Sequence, residues 1–100
     1  MTILDIQQAV AMRFRLRVAD LRGTRRPPSI SGPRAIGMYL ARQLTPLSLD
    51  QIGAYFGGRD HSTVLHACRK VEQALTQDAH VSGAVRRLHA RAEAHDDAGN

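Results

Sequence analysis

Between Phe56 and Glu72 the chain reads Phe-Gly-Gly-Arg-Asp-His-Ser-Thr-Val-Leu-His-Ala-Cys-Arg-Lys-Val-Glu, a run dense in hydrogen-bonding side chains. Asp60, His61, Ser62 and Thr63 stand together just after a glycine pair, where the pattern predicts a helix to begin. At about 100° per residue, Ser62, His66, Arg69, Lys70 and Gln73 share roughly 100° of arc. Val64, Cys68, Val71 and Leu75 fall on the opposite flank. A helix divided in this way rests one side on a core and turns the other toward something anionic. An ordinary amphipathic surface helix would show the same stripes. The glycine turn and the four polar residues at the helix start favour a binding role over that plainer reading. Some of these residues also have plain accounts of their own: Asp60 suits an N-cap, Ser62 and Thr63 could be exposed hydroxyls, and His66 a solvated histidine.

The charge supports a polyanionic partner. The chain has 100 residues and a formal net charge of +5, with 14 Lys and Arg. All but Lys70 of these are arginine, whose planar fork matches phosphate oxygens and guanine edges. Residues 13 to 42 hold Arg13, Arg15, Arg17, Arg22, Arg25, Arg26, Arg34 and Arg42 against one acid, Asp20. The remainder of the chain is therefore net negative. A bland soluble domain spreads its charge more evenly.

Other chemistries lack the residues they need. Gly32-Pro-Arg-Ala-Ile-Gly37 has the glycine spacing of a phosphate-binding loop, but Met38-Tyr39 stands where Lys-Ser/Thr is required, so no nucleotide is expected. His66 and Cys68 are two apart on a helix and point to different sides, and His61 with His66 lacks zinc-ligand spacing. No metal, cofactor or catalytic triad is expected, and the chain does not read as an enzyme. Cys68 is the only cysteine, which excludes an internal disulfide and fits a reducing compartment. Its place on the apolar stripe marks it as core. No apolar run reaches membrane-spanning length and no charged-then-apolar leader opens the chain, so the expected location is cytoplasmic, at the nucleoid.

The expected fold is all-α, a compact bundle of five or six helices containing a helix-turn-helix. Ile3, Ile6, Val10 and Phe14 recur at helical spacing from about Thr2 to Arg15, with Thr2 and Asp5 forming a capping box. Val18 to Leu21 can make one short turn of helix. Arg22 to Ser29 reads as a loop because of its glycine and two prolines. Pro33 suits the first turn of the next helix, which runs to about Leu44 with Ile36, Tyr39, Leu40 and Leu44 inward. Ser48-Leu-Asp-Gln51 is a second capping box, opening a helix through Phe56. Asp60 or His61 starts the long helix. Gln77 to His80 reads as a loop, Val81 to Ala94 as a final helix, and residues 95 to 100 as a frayed, flexible tail beyond a single domain of residues 1 to 94. Short helix, glycine turn, longer helix is the helix-turn-helix layout.

Gly57-Gly-Arg-Asp-His-Ser-Thr-Val-Leu-His-Ala-Cys-Arg-Lys70 closely resembles the signature of the DNA-binding domain of the bacterial replication initiator DnaA. The resemblance extends upstream through Ile6-Gln7, Val18 to Leu21, Arg25-Arg26, Pro33-Arg34 and Leu49 to Gly53, covering about residues 2 to 77. It implies binding to the DnaA box, TTATNCACA, with the long helix in the major groove and a basic loop in the adjacent minor groove. It further implies that Asp60 accepts from a cytosine amino group, and that His61, Ser62 and Thr63 meet thymine methyls and base edges. Arg26 would enter the minor groove, flanked by Arg25 and Arg34. Arg42, His66, Arg69, Lys70 and the amide end of the helix at Leu49 would meet phosphates. Arg59 reads as a turn residue with an internal salt bridge.

Three positions depart from the family pattern. Ser62 stands where the family has threonine, Pro28 where it has another arginine, and Ala35 where glutamine follows Arg34. Each lost base contact is worth roughly 1–3 kcal/mol, so affinity or specificity shifts. The chain fits either an excised DnaA domain or a small free-standing paralogue acting as a monomer. With no ATPase module, a free-standing form would occupy boxes and modulate initiation without melting an origin. The rival expectation is an adaptor with little box specificity that contacts other initiation proteins.

Overall fold

The computed structural model describes the backbone of residues 1–98 and the side chains of residues 1–94. Among the described residues six helices follow one another: α1 (Ile3–Phe14), α2 (Val18–Arg22), α3 (Pro28–Leu44), α4 (Leu49–Tyr55), α5 (His61–Gln77) and α6 (Ala79–Ala98). They fill a body of 35 × 28 × 23 Å. No strand occurs among the described residues, as the patterning predicts. No helix among them is long and apolar enough to cross a membrane.

The helix starts follow from local chemistry. Thr2 and Asp5 exchange the two hydrogen bonds of a capping box, at 3.1 and 3.0 Å, and Ser48 and Gln51 do the same at 3.1 and 2.9 Å. Each exchange satisfies amides that a helix start leaves without intrahelical partners. Asp78 ends α5 and begins α6: its backbone N–H donates to the Ala74 carbonyl, while its Oδ1 accepts from the amides of His80 and Val81 at 2.9 and 3.3 Å.

Two boundaries differ from expectation. Helix α3 starts at Pro28, five residues before Pro33, which lies inside it. Proline lacks only a donor that a helix start cannot use, and its fixed φ suits that position, so Pro28 opens the helix it was expected to exclude. Helix α6 starts at Ala79 and runs through Ala98, so it covers Asp78's successor and four residues of the expected tail. Residues 99 and 100 lie outside the described residues.

The long helix α3 packs against every other helix. Its buried residues Ile36, Met38, Leu40 and Ala41 meet Ile6 and Val10 of α1, Ile52 of α4 and Val64, Cys68 and Val71 of α5 in one apolar cluster. Tyr39 and Leu44, expected inward, are only partly covered. Buried Gln7 of α1 donates from Nε2 to the Tyr55 carbonyl at 2.7 Å, tying α1 to a carbonyl that the end of α4 leaves open.

Candidate nucleic-acid interface

The turn between α4 and α5 is built around glycines. The Arg59 amide donates to the Gly53 carbonyl at 2.9 Å, folding the turn back on the middle of α4. This brings the Arg59 carbonyl so close that a Cβ on Gly53 would overlap its oxygen. Gly57 and Gly58 take φ of 93° and 71°, the left-handed region where glycine alone is free of strain. Phe56, between α4 and the turn, is fully buried.

Helix α5 starts on two carboxylates. Asp60 caps it, accepting the Thr63 amide at 2.9 Å. Asp50 of α4 reaches across to accept the His61 amide at 3.1 Å, with the His61 Nδ1 3.5 Å away. The Thr63 amide, followed by the Thr63 hydroxyl, holds the Asp60 carboxyl below the ordinary aspartate value of 3.8. A carboxylate depressed in the folded state stabilises it above the unfolded pKa and loses that contribution as pH falls through the lower folded value. Acid titration followed by circular dichroism should therefore show α5 loosening below about pH 4. Asp60→Asn, which keeps the capping oxygen but not the charge, should lower neutral-pH stability slightly and flatten the acid dependence, its stability approaching that of the parent at low pH.

The structure separates the sequence-derived site residues into three groups. Asp60, His61, Ser62 and Thr63 are exposed on the first turn of α5, and His66, Arg69 and Lys70 are exposed along it. Val64, Cys68 and Val71 are buried on the other flank, so the division of α5 into two faces holds. Burial raises the Cys68 thiol above its ordinary pKa, in keeping with a core residue. Arg25 and Arg26 are exposed on the segment between α2 and α3, and Arg42 on the last turn of α3. Leu49 packs its side chain against the core, which leaves its backbone as the group it can offer. An open groove between α3 and α5 gathers Arg26, Arg59, Thr63, His66 and Lys70 along its walls.

Arg34 is the correction. Expected beside the minor groove, it is only 3% exposed. Its Nε, Nη1 and Nη2 donate to the carbonyls of Leu21, Arg25 and Asp20 at 3.0, 2.8 and 2.8 Å. The guanidinium is inside the protein, and each of its three nitrogens donates to a backbone carbonyl. Arg59 also differs from expectation. Instead of a carboxylate, its Nη1 donates to the Gly23 carbonyl at 3.1 Å and to the Phe56 carbonyl. The burial of Arg34 had a sequence signal, because Ile30, Arg34, Gly37 and Ala41 follow one helical stripe. Nothing comparable marked the Asp50–His61 contact.

The model of the bacterial dnaA protein helix-turn-helix matches residues 3–71. The chain belongs to the bacterial DnaA helix-turn-helix family. Chromosomal replication initiator proteins DnaA from two strains of Cereibacter sphaeroides are 46% identical to it over 81 residues, 81% of this chain and 18% of theirs. The chain thus spans under a fifth of those DnaA relatives. The crystal structure of a DNA replication initiation factor superimposes with a TM-score of 0.79 at 32% identity, over 90% of this chain and 27% of that one. The DnaA fold of the domain is therefore established, helix-turn-helix included.

Proposed function

We propose that this DnaA-family domain binds duplex DNA at DnaA-box-like sites and serves replication initiation or its regulation. Helix α5 lies in the major groove, where Asp60, His61, Ser62 and Thr63 face base edges. The Arg25–Arg26 segment enters the adjacent minor groove, whose narrow A/T tracts concentrate negative potential. Arg42, His66, Arg69, Lys70 and the Leu49 amide meet phosphates, which fix register without reading sequence. One chain occupies one site, in the cytoplasm at the nucleoid. The observation that carries this reading is the groove that brings exposed Arg26 alongside Thr63, His66 and Lys70. A loop cation and the reading helix thus border one concave surface.

Fluorescence anisotropy with a consensus-box duplex and a scrambled duplex, each at several salt concentrations, tests it. Five cationic side chains against the duplex (Arg25, Arg26, Arg42, Arg69, Lys70) should give a log–log salt slope of about −4 to −5. The box should bind more tightly than the scrambled duplex, and Arg26→Ala with His61→Ala should abolish the difference. Equal affinity for both duplexes would remove the sequence-specific reading in favour of the adaptor. A slope near zero would contradict backbone contact altogether.

A further inference from the structure

The root of the basic loop and the turn of the helix-turn-helix are in direct contact. A Cβ on Gly57 would stand 2.7 Å from the Gly23 carbonyl oxygen and 3.1 Å from that of Arg22, so the two backbones meet where only glycine fits. Arg59 ties the same place with hydrogen bonds to Gly23 on the loop side and Phe56 on the turn side. Along the same stretch, buried Arg34 gathers the carbonyls of Asp20, Leu21 and Arg25. The exposed guanidinium of Arg26 therefore directly follows a stretch, residues 20 to 25, whose carbonyls two inward-facing arginines hold. We propose that Arg34 and Arg59 are positioning residues: through backbone carbonyls they hold the Arg25–Arg26 loop at a fixed offset from the first turn of α5. Neither guanidinium touches nucleic acid.

This rests on the DNA-binding reading above and gives it a mechanism. Reading two adjacent grooves at once requires a set distance between the two reading elements. A loop free to wander would meet an ordering penalty each time it bound. Electrostatics agree with the arrangement. Burial first, and then the charge of Arg59, lowers the pKa of Arg34, while Asp20 opposes the shift. Burial and then Arg26 do the same to Arg59. Three cations thus stand in sequence from the interior to the surface, the outermost being the one free to meet an anion.

The test uses the whole chain. In the free protein, ¹⁵N relaxation on Arg59→Met should show greater mobility of the Thr24, Arg25 and Arg26 amides, with α1 and α3 unchanged. Arg34→Lys, a milder change at a buried position, should act in the same direction. On the consensus-box duplex, Arg59→Met should weaken binding about tenfold, the scale of one lost base contact. Adding Arg26→Ala to Arg59→Met should cost no more than about a further twofold, because the loop has already lost its place. Loop amides as rigid as the parent's, or losses from the two substitutions that multiply in full, would overturn the proposal. Failure of the parent chain to prefer the box would defeat the DNA reading instead, and the relaxation measurement would still decide the positioning role.

Discussion

Gly53→Ala is expected to be the most damaging single substitution in the α4–α5 region. The added Cβ would overlap the Arg59 carbonyl oxygen, lie 2.8 Å from its carbon and press on a Val64 methyl at 3.3 Å. Overpacking usually costs about 1–3 kcal/mol, and more where the obstacle is backbone that cannot swing away. Relief would require breaking the Arg59-to-Gly53 hydrogen bond that closes the turn. A loss above about 3 kcal/mol is expected, against the roughly 5–10 kcal/mol total of a domain this small. Urea denaturation followed at 222 nm measures it. Gly83→Ala provides the control, since its Cβ would meet nothing within 4 Å inside α6. Removing a helix-interior glycine should add about 0.5–1 kcal/mol. A Gly53→Ala protein as stable as the parent would rule out the close turn.

Phe56→Ala is the second large effect. The ring is fully buried, the largest such side chain among the described residues. Truncation should cost about 3–5 kcal/mol. The ring also explains why residue 37 is glycine: a Cβ there would stand 2.9 and 3.1 Å from two Phe56 ring carbons. Gly37→Ala alone should therefore destabilise, by about 1–3 kcal/mol. In a Phe56→Leu background the same substitution should cost much less, because the obstructing ring atoms are gone. Two denaturation series complete the cycle. Additive costs would show that the packing of α3 on the turn is looser than these distances describe.

Much of this fold was legible because its signals are local. Thr2, Ser48 and Asp60 mark helix starts by bonds made within three residues, and the two flanks of α5 follow from spacing alone. The misreadings share a different cause. Pro27 and Pro28 read as loop and Pro33 as the helix start, whereas α3 opens at Pro28 and packing along the Ile30–Arg34–Gly37–Ala41 stripe carries Pro33 inside it. Asp78 ends one helix and caps the next, so a four-residue loop was expected where a single residue suffices. Arg34 read as a groove contact and Arg59 as half of an internal salt bridge, because the backbone carbonyls that actually hold them come from a distant segment and leave no mark on the sequence. The candidate site was thus visible in its contacting residues and hidden in the residues that hold them.

The first turn of α5 has a further consequence. Ser62, Thr63, His66, Arg69 and Lys70 are exposed and belong to no part of the apolar cluster. The fixed geometry is invested in Gly53, Phe56, Gly57, Arg34 and Arg59, at the joint behind them. The outward residues of α5 can therefore be substituted one at a time with little folding penalty, whereas substitutions at the joint cost stability. Under the proposed DNA contact, the outward residues could change while the scaffold is kept.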